Sequence, residues 1–252
     1  MNASRASLTG AAAVLAVLMA APVVAQSANF DDRPTGFLTA TTGGMPANAW
    51  AGTPLGTAKR LVAALPSAPR SRALRDLQFK VLVSQLTPPP ADGSPPPSLF
   101  MLKVEKLAAM GEAESLNEMV RNAGGYADPA IASTVANALM LAGERQGACA
   151  VVGQSQLMEP FAGRANAACR VLQGDTAAAL AATNVPAGQI DGPALMAIDL
   201  TRAQVPAGVL RNTQPSIVRA LVGLKALPIA TRIEIAERAE ACLLYTSDAA
   251  DE

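Results

Sequence analysis

Three stretches of this chain begin with proline and end with glycine fourteen residues later: PSLFMLKVEKLAAMG at 97–111, PAIASTVANALMLAG at 129–143 and PFAGRANAACRVLQG at 160–174. Proline suits the first turn of a helix because its missing N–H would have no partner there. Glycine readily adopts the left-handed backbone that ends a helix. The pattern therefore predicts one helix in each stretch, stopped by its glycine.

An acidic residue follows each turn glycine, in the pairs Gly111-Glu112, Gly143-Glu144 and Gly174-Asp175. A carboxylate is favourable at the positive N-terminal end of a helix, so a second helix is expected to start at once. The predicted unit is helix, tight turn, helix, and its glycine recurs after 32 and then 31 residues. This period lies in the range of stacked helical-hairpin repeats.

Apolar residues four apart predict a buried stripe on the first helix of each unit, in the pairs Val104 and Ala108, Ala136 and Met140, Ala167 and Val171. The second helices carry matching stripes: Leu116, Met119 and Val120, then Cys149, Val151 and Val152, then Ala178, Ala179 and Leu180. Most of these side chains are small, so the paired helices are expected to pack closely.

The three units, over roughly Pro97 to Pro186, resemble tetratricopeptide-type repeats. The resemblance rests on the Gly-Glu or Gly-Asp turn and on the small residues, without that family's Trp, Leu-Gly and Tyr landmarks. It implies an all-α protein of stacked helical hairpins in a right-handed solenoid that binds partners on its concave face. The Ala- and Leu-rich make-up is also similar to that of uncharacterised exported bacterial proteins. An irregular helical bundle with coincidental spacing is the alternative.

The expected division of the chain is a flexible segment at 26–49, an N-terminal helical pair at 50–86, a proline-rich linker at 87–96 and a truncated helical-repeat domain at 97–241. The second helix of the pair is expected to place Leu74, Leu77, Val81 and Leu82 on one face. The linker contains a run of prolines that neither a helix nor a central strand tolerates, so an exposed spacer is predicted.

The two ends of the chain differ from its middle. Residues 1–25 hold Arg5, an apolar run of 11 residues and small residues before Gln26, as in a secretory signal peptide cleaved after Ala25. This run is shorter than the about 20 apolar residues that a membrane-spanning helix needs. We therefore predict a periplasmic protein with no integral membrane segment after cleavage. An uncleaved membrane anchor is the alternative. Residues 242–252, CLLYTSDAADE, resemble translated sequencing adapter, so the chain is expected to be a fragment with a non-native tail.

Without the tail, which contains Cys242, the chain has two cysteines, Cys149 and Cys169. An even number of cysteines in an oxidising compartment favours pairing, so these two are expected to form a structural disulfide. Each lies ten residues from Glu159, where the chain is expected to turn between antiparallel helices. Helix axes about 8–10 Å apart allow opposed Cα atoms to approach to the roughly 5.5–6 Å of a disulfide. Two reduced, buried thiols are the alternative.

The composition excludes several kinds of chemistry. The chain has no histidine, which excludes Ser-His-Asp and Cys-His catalysis and histidine-ligated metals. It has no glycine-rich phosphate loop and no Cys-x-x-Cys motif, so no catalytic, cofactor-binding or metal-binding residue and no cofactor is predicted. Acidic and basic residues balance at 20 each, and no nucleic-acid partner is expected.

These observations favour a non-enzymatic binding or scaffolding module of the cell envelope with a protein or peptide partner. The alternative is the helical arm of a larger peptidoglycan-active enzyme whose catalytic domain is missing. Glu114-Ser115 resembles the Glu-Ser of lytic transglycosylases, but the Gly-Leu-Met-Gln-type segment of that family is absent. An exposed glutamate is the ordinary expectation at this position on a second helix.

Overall fold

The computed structural model describes residues 30–175 and 214–222, with the single positions 229 and 233. Its helices are α1 Leu55–Ala64, α2 Arg72–Val83, α3 Leu99–Ala109, α4 Ala113–Asn122, α5 Pro129–Ala142, α6 Arg145–Gln154, α7 Phe161–Leu172 and α8 Pro215–Val222, preceded by short 3-10 helices at Phe30–Asp32 and Ala40–Thr42. The described part has no strand, only an isolated bridge between Leu38 and Ser84. The all-α class is therefore confirmed for these residues. The predicted signal peptide at 1–25 and tail at 242–252 lie outside them.

The three glycine turns have the predicted conformation. Gly111, Gly143 and Gly174 have φ angles of 77°, 85° and 81°. In each turn the amide of the next residue donates to a carbonyl five residues back: Glu112 to Leu107 at 3.0 Å, Glu144 to Leu139 at 2.9 Å and Asp175 to Arg170 at 3.0 Å. This bond closes the last turn of a helix. The helices α4 and α6 then start directly, while the corresponding helix of the third unit lies outside the described residues.

The helix starts differ from the prediction at two of the three prolines. Pro129 is the first residue of α5, and the Asp128 side chain accepts hydrogen bonds from the amides of the first turn. In contrast, α3 starts after Ser98, whose hydroxyl accepts the amide of Met101, and Pro160 is the residue before α7. At α3 the Ser98 hydroxyl, one residue after Pro97, accepts a first-turn amide that has no partner inside the helix.

The predicted apolar stripes form most of the core. Val104, Ala136, Met140, Ala167, Leu116, Met119, Val120, Val151 and Val152 are buried, while Ala108, Cys149 and Val171 are partly buried against them. Helix α5 packs on α3, α4 and α6, and α7 packs on α6.

Helix α8 departs from a stack of nearest neighbours. It packs on α5 and α7, and the Gln214 Nε2 just before it donates to the Asn137 Oδ1 of α5 at 3.0 Å. In a solenoid each repeat contacts only the adjacent repeats. The return of α8 to α5 therefore gives the described part a feature of a closed bundle, and the solenoid stays a prediction.

Residues 30–49 of the N-terminal segment dock on the helices, and the flexibility of 26–49 stays a prediction. Phe30 is buried and stacks on Phe100, with ring centroids 4.5 Å apart. The amides of Phe37 and Leu38 both donate to the Val83 carbonyl, at 2.9 and 3.1 Å. The many Thr, Gly, Asn and Asp residues predicted disorder, but a few apolar anchors are enough to dock the segment.

The proline-rich residues 87–96, here called the strap, lack helix and strand as predicted but are no free spacer. The Pro90 carbonyl accepts the Leu55 amide at 3.0 Å, and the Asp92 Oδ2 accepts the Gly56 amide at 2.8 Å. Both amides belong to the first turn of α1, where backbone donors have no partner inside the helix. A proline residue has no backbone N–H to donate, but its carbonyl oxygen still accepts a hydrogen bond, so the strap can cap a helix.

Helix α2 differs from its predicted apolar face. Leu74 and Leu77 are 42% and 49% exposed, while Leu82 and Val83 are buried. The polar Gln78 is 2% exposed, and its Nε2 donates to the Pro66 carbonyl at 3.4 Å. Only the C-terminal end of α2 therefore contributes apolar side chains to the core.

Cys149 of α6 and Cys169 of α7 are joined by a disulfide, with Cα atoms 5.5 Å apart, as their spacing predicts. Bridging residues 20 positions apart stabilises a fold by roughly 3 kcal/mol in the chain-entropy model. We expect no free thiol when the oxidised Cys242→Ser variant is denatured and titrated with a thiol reagent, and about 3 kcal/mol less unfolding free energy after reduction. Two titrating thiols would contradict the bridge.

The left-handed turn between α5 and α6 can be tested with two glycines four residues apart. Alanine at Gly143 is strained by φ 85° and would place a Cβ 2.9 Å from the Arg219 guanidinium. Alanine at Gly147, inside α6, would meet only Leu139 at 3.7 Å. We expect Gly143→Ala to lower the unfolding free energy by about 1–2 kcal/mol and Gly147→Ala to raise it by about 0.5–1 kcal/mol. Equal effects in urea unfolding would refute this assignment.

Candidate functional site

The strap and the starts of two helices enclose a cleft of about 420 Å³, here called the strap cleft. This volume lies within the range of small-molecule and peptide side-chain sites. Apolar and charged side chains share the lining, which consists of Phe30, Asp31, Lys59, Ser94, Pro96, Pro97, Ser98, Met101, Asp128 and Ile131.

An ion pair forms one wall of the strap cleft. The Lys59 Nζ lies 3.2 Å from the Asp31 Oδ2, and the two side chains are only 11% and 10% exposed. The Asp31 Oδ1 also accepts the Leu99 amide at the start of α3, at 2.7 Å, and the Lys59 Nζ donates to the Pro95 carbonyl at 3.3 Å. The pair thus ties the N-terminal segment, α1, α3 and the strap together.

A second carboxylate lies at the start of α5. The Asp128 Oδ1 accepts the amides of Ala130 at 2.8 Å and Ile131 at 3.2 Å. Carboxylates are stabilised by the positive ends of helix dipoles, and both Asp31 and Asp128 occupy such places. Among the described lining residues, two carboxylates accompany one ammonium, so this part of the lining carries a net negative charge.

The strap side of the cleft is held by Asp92. The hydrogen bond from the Gly56 amide lowers the pKa of this carboxyl below its usual value. Asp92 also accepts the Ser94 amide at 3.0 Å. The carboxylate therefore fixes the strap on α1 when it is ionised, and the strap in turn brings Ser94 to the cleft.

Phe30, Met101 and Ile131 give the strap cleft its apolar lining, together with Pro96 and Pro97. Ile131 and Phe30 belong to the core, while Met101 is partly exposed. Methionine adapts to irregular partners because its chain is flexible and polarisable. The cleft can therefore receive an apolar group that carries a positive charge beside it.

A larger groove of about 580 Å³ lies between α4 and α6, with Leu139 of α5 at its base. Its lining is mostly polar: Glu114, Asn117, Glu118, Arg121, Asn122, Leu139, Glu144 and Gly147. Glu114, the residue that resembles a lytic-transglycosylase acid, is exposed here. A general acid in glycoside cleavage is kept protonated by an apolar surrounding, which this groove does not provide. The strap cleft is the stronger candidate site.

The residues singled out from the sequence do not gather in the strap cleft. Cys149 and Cys169 join α6 to α7, and the turn glycines end α3, α5 and α7. Sequence reasoning missed Asp31, Lys59 and Asp128. Of these, Asp128 could have been found, because an aspartate directly before a helix-starting proline is a capping signal.

The described residues hold no group of three or more histidine, cysteine or acidic side chains that could bind a metal ion. Within the same ranges, no helix has both the length and the apolar character needed to cross a membrane. Comparison with known proteins found no matching family model and no similar curated protein or solved structure.

The Asp31–Lys59 pair can be tested by removing one partner. Lys59→Met keeps much of the side-chain volume but leaves the Asp31 carboxylate without its cation in a largely buried place. We expect the unfolding free energy to fall by about 3 kcal/mol. The control Lys80→Met, on the exposed side of α2, should change it by less than about 0.5 kcal/mol. Similar small losses in both variants, measured by urea unfolding, would contradict a structural role for the pair.

Proposed function

We propose that this protein is an exported, non-enzymatic binding or scaffolding module of the bacterial cell envelope that holds a segment of a partner protein or peptide in the strap cleft. The observation that carries the proposal is the composition of that cleft. Apolar side chains lie beside two carboxylates and one ammonium in a space of about 420 Å³. Such a lining fits an apolar side chain with a lysine or arginine beside it.

The bonding of the polar groups supports binding over chemistry. Asp31 is held by Lys59 and by the Leu99 amide, and Asp128 caps the first turn of α5. A general acid or base must exchange protons with a substrate in the transition state. Carboxylates that hold helix starts are better suited to presenting fixed negative charge.

The helical pairs support a scaffold role. We propose that α3–α4 and α5–α6 are two tetratricopeptide-type units, because α5 packs on both helices of the preceding pair and the turns share one backbone geometry. Stacked units of this kind present extended surfaces to partner chains. The signal-like residues 1–25 support export, and a disulfide suits an oxidising compartment.

The binding role can be tested with a charge placed in the cleft. Met101→Lys adds a cation that repels the basic group expected in the partner, whereas Leu74→Lys adds the same charge on exposed α2. We expect the unsubstituted protein to capture a saturable partner from an envelope extract, and Met101→Lys to bind the purified partner at least tenfold more weakly by calorimetry. Leu74→Lys should bind normally.

Two results would count against this proposal. One is the absence of any saturable partner among envelope proteins. The other is an equal loss of affinity in Met101→Lys and Leu74→Lys, because the strap cleft would then have no special part in recognition. Circular dichroism of each variant shows whether the helices are intact before binding is compared.

A further inference from the structure

Helix α2 carries an apolar stripe on its exposed side. Leu74 and Leu77 are 42% and 49% exposed, and the half-buried Val81 continues the same line. Residues three and four apart share one face of a helix, so the three side chains form one ridge, here called the α2 ridge. Apolar residues scattered singly over a surface are ordinary, whereas neighbours on one helix face form a connected apolar patch.

The other side of α2 is fixed to the rest of the protein. Leu82 and Val83 are buried at the end of the helix, and the Arg75 Nη2 lies 2.7 Å from the Glu112 Oε1. These contacts set the rotation of α2 about its own axis, so the ridge cannot turn inward without breaking them. The outward direction of the ridge is therefore determined by the packing of the described residues.

Cations lie at both ends of the α2 ridge. Arg70 and Arg72 precede it, Lys80 follows Leu77 by three residues, and all three cations are exposed. None of them pairs with a carboxylate of the described residues, and Asp76 is the only acidic residue between positions 66 and 86. The surface of α2 thus combines an apolar ridge with a net positive charge.

The shape of this surface favours a lipid bilayer over a folded partner. Neither the strap cleft nor the groove between α4 and α6 has a residue of α2 in its lining, and the outer face of a helix is convex. Protein partners gain most of their affinity from side chains that fill well-packed pockets. A bilayer interface instead adapts to an apolar ridge, and its anionic headgroups attract lysine and arginine side chains near the surface.

We propose that α2 docks this protein on the surface of an anionic phospholipid bilayer. Leu74 and Leu77 enter the boundary between headgroups and acyl chains. Arg70, Arg72 and Lys80 contact lipid phosphates while their methylene stems lie along the apolar boundary. A helix of 12 residues that inserts two leucines gives weak and reversible attachment. This inference does not rest on the strap cleft or on its proposed partner, so either proposal can fail without the other.

A tryptophan placed on the ridge reports docking directly. Leu77→Trp is combined in the full chain with Trp50→Phe, which removes the only native tryptophan, and is titrated with vesicles of phosphatidylglycerol and phosphatidylcholine in equal parts. We expect a saturable blue shift of the emission, which about 0.5 M sodium chloride reverses by screening. Vesicles of phosphatidylcholine alone should produce little shift. The matched control Gln146→Trp, at the exposed start of α6, should keep the emission of a solvated indole. The probe reports contact of α2 itself, separately from any binding by the apolar residues 1–25.

Two pairs of charge substitutions, made in the Leu77→Trp protein, locate the attraction. Arg72→Gln with Lys80→Gln removes two cations beside the ridge and should lower the vesicle partition coefficient by roughly tenfold or more. Arg145→Gln with Arg170→Gln removes two exposed cations from α6 and α7 and should change it by less than about twofold. Circular dichroism shows whether the helices of each variant are intact before the titrations are compared.

Four results would overturn the proposal. The first is an emission at Leu77→Trp that does not respond to anionic vesicles, because another part of the chain or nothing at all would then cover the ridge. The second is an equal response to neutral vesicles, and the third is an equal loss in the two charge pairs. The fourth is a blue shift that follows protein concentration without lipid, which would identify a second copy of this chain as the occupant.

Discussion

The left-handed backbone at Gly111, Gly143 and Gly174 is the constraint on which the helical pairs depend. A residue with a Cβ is disfavoured there by roughly 1–2 kcal/mol, so these positions favour glycine. The same backbone bond closes all three turns, and at the first two the chain enters its next helix within two residues. Such short reversals bring α3 against α4 and α5 against α6. The small side chains on the facing stripes then meet directly.

The parts of the fold that could be predicted are those held by such local contacts. The turns and the Cys149–Cys169 pairing depend on residues close in sequence, so spacing alone was sufficient for them. The N-terminal segment and the strap depend on distant partners. Phe30 needs Phe100, and the Leu55 amide needs the Pro90 carbonyl. Composition gives no signal for such contacts, because a polar segment with one buried anchor and a polar segment with none look alike. For the same reason Leu74 and Leu77 matched a helical stripe, although no element within the described residues buries them.

The candidate site was hard to predict because it belongs to the non-local part of the structure. Asp31 and Lys59 are remote in sequence from α3, whose first amide Asp31 caps, and the strap, which accepts a hydrogen bond from Lys59, supplies further lining residues. A carboxylate in a loop and a lysine in a helix have exposed, solvated side chains as their usual state. What distinguishes these two is that docking of the N-terminal segment buries them together. Asp128 differs, because its capping role is readable from the adjacent proline.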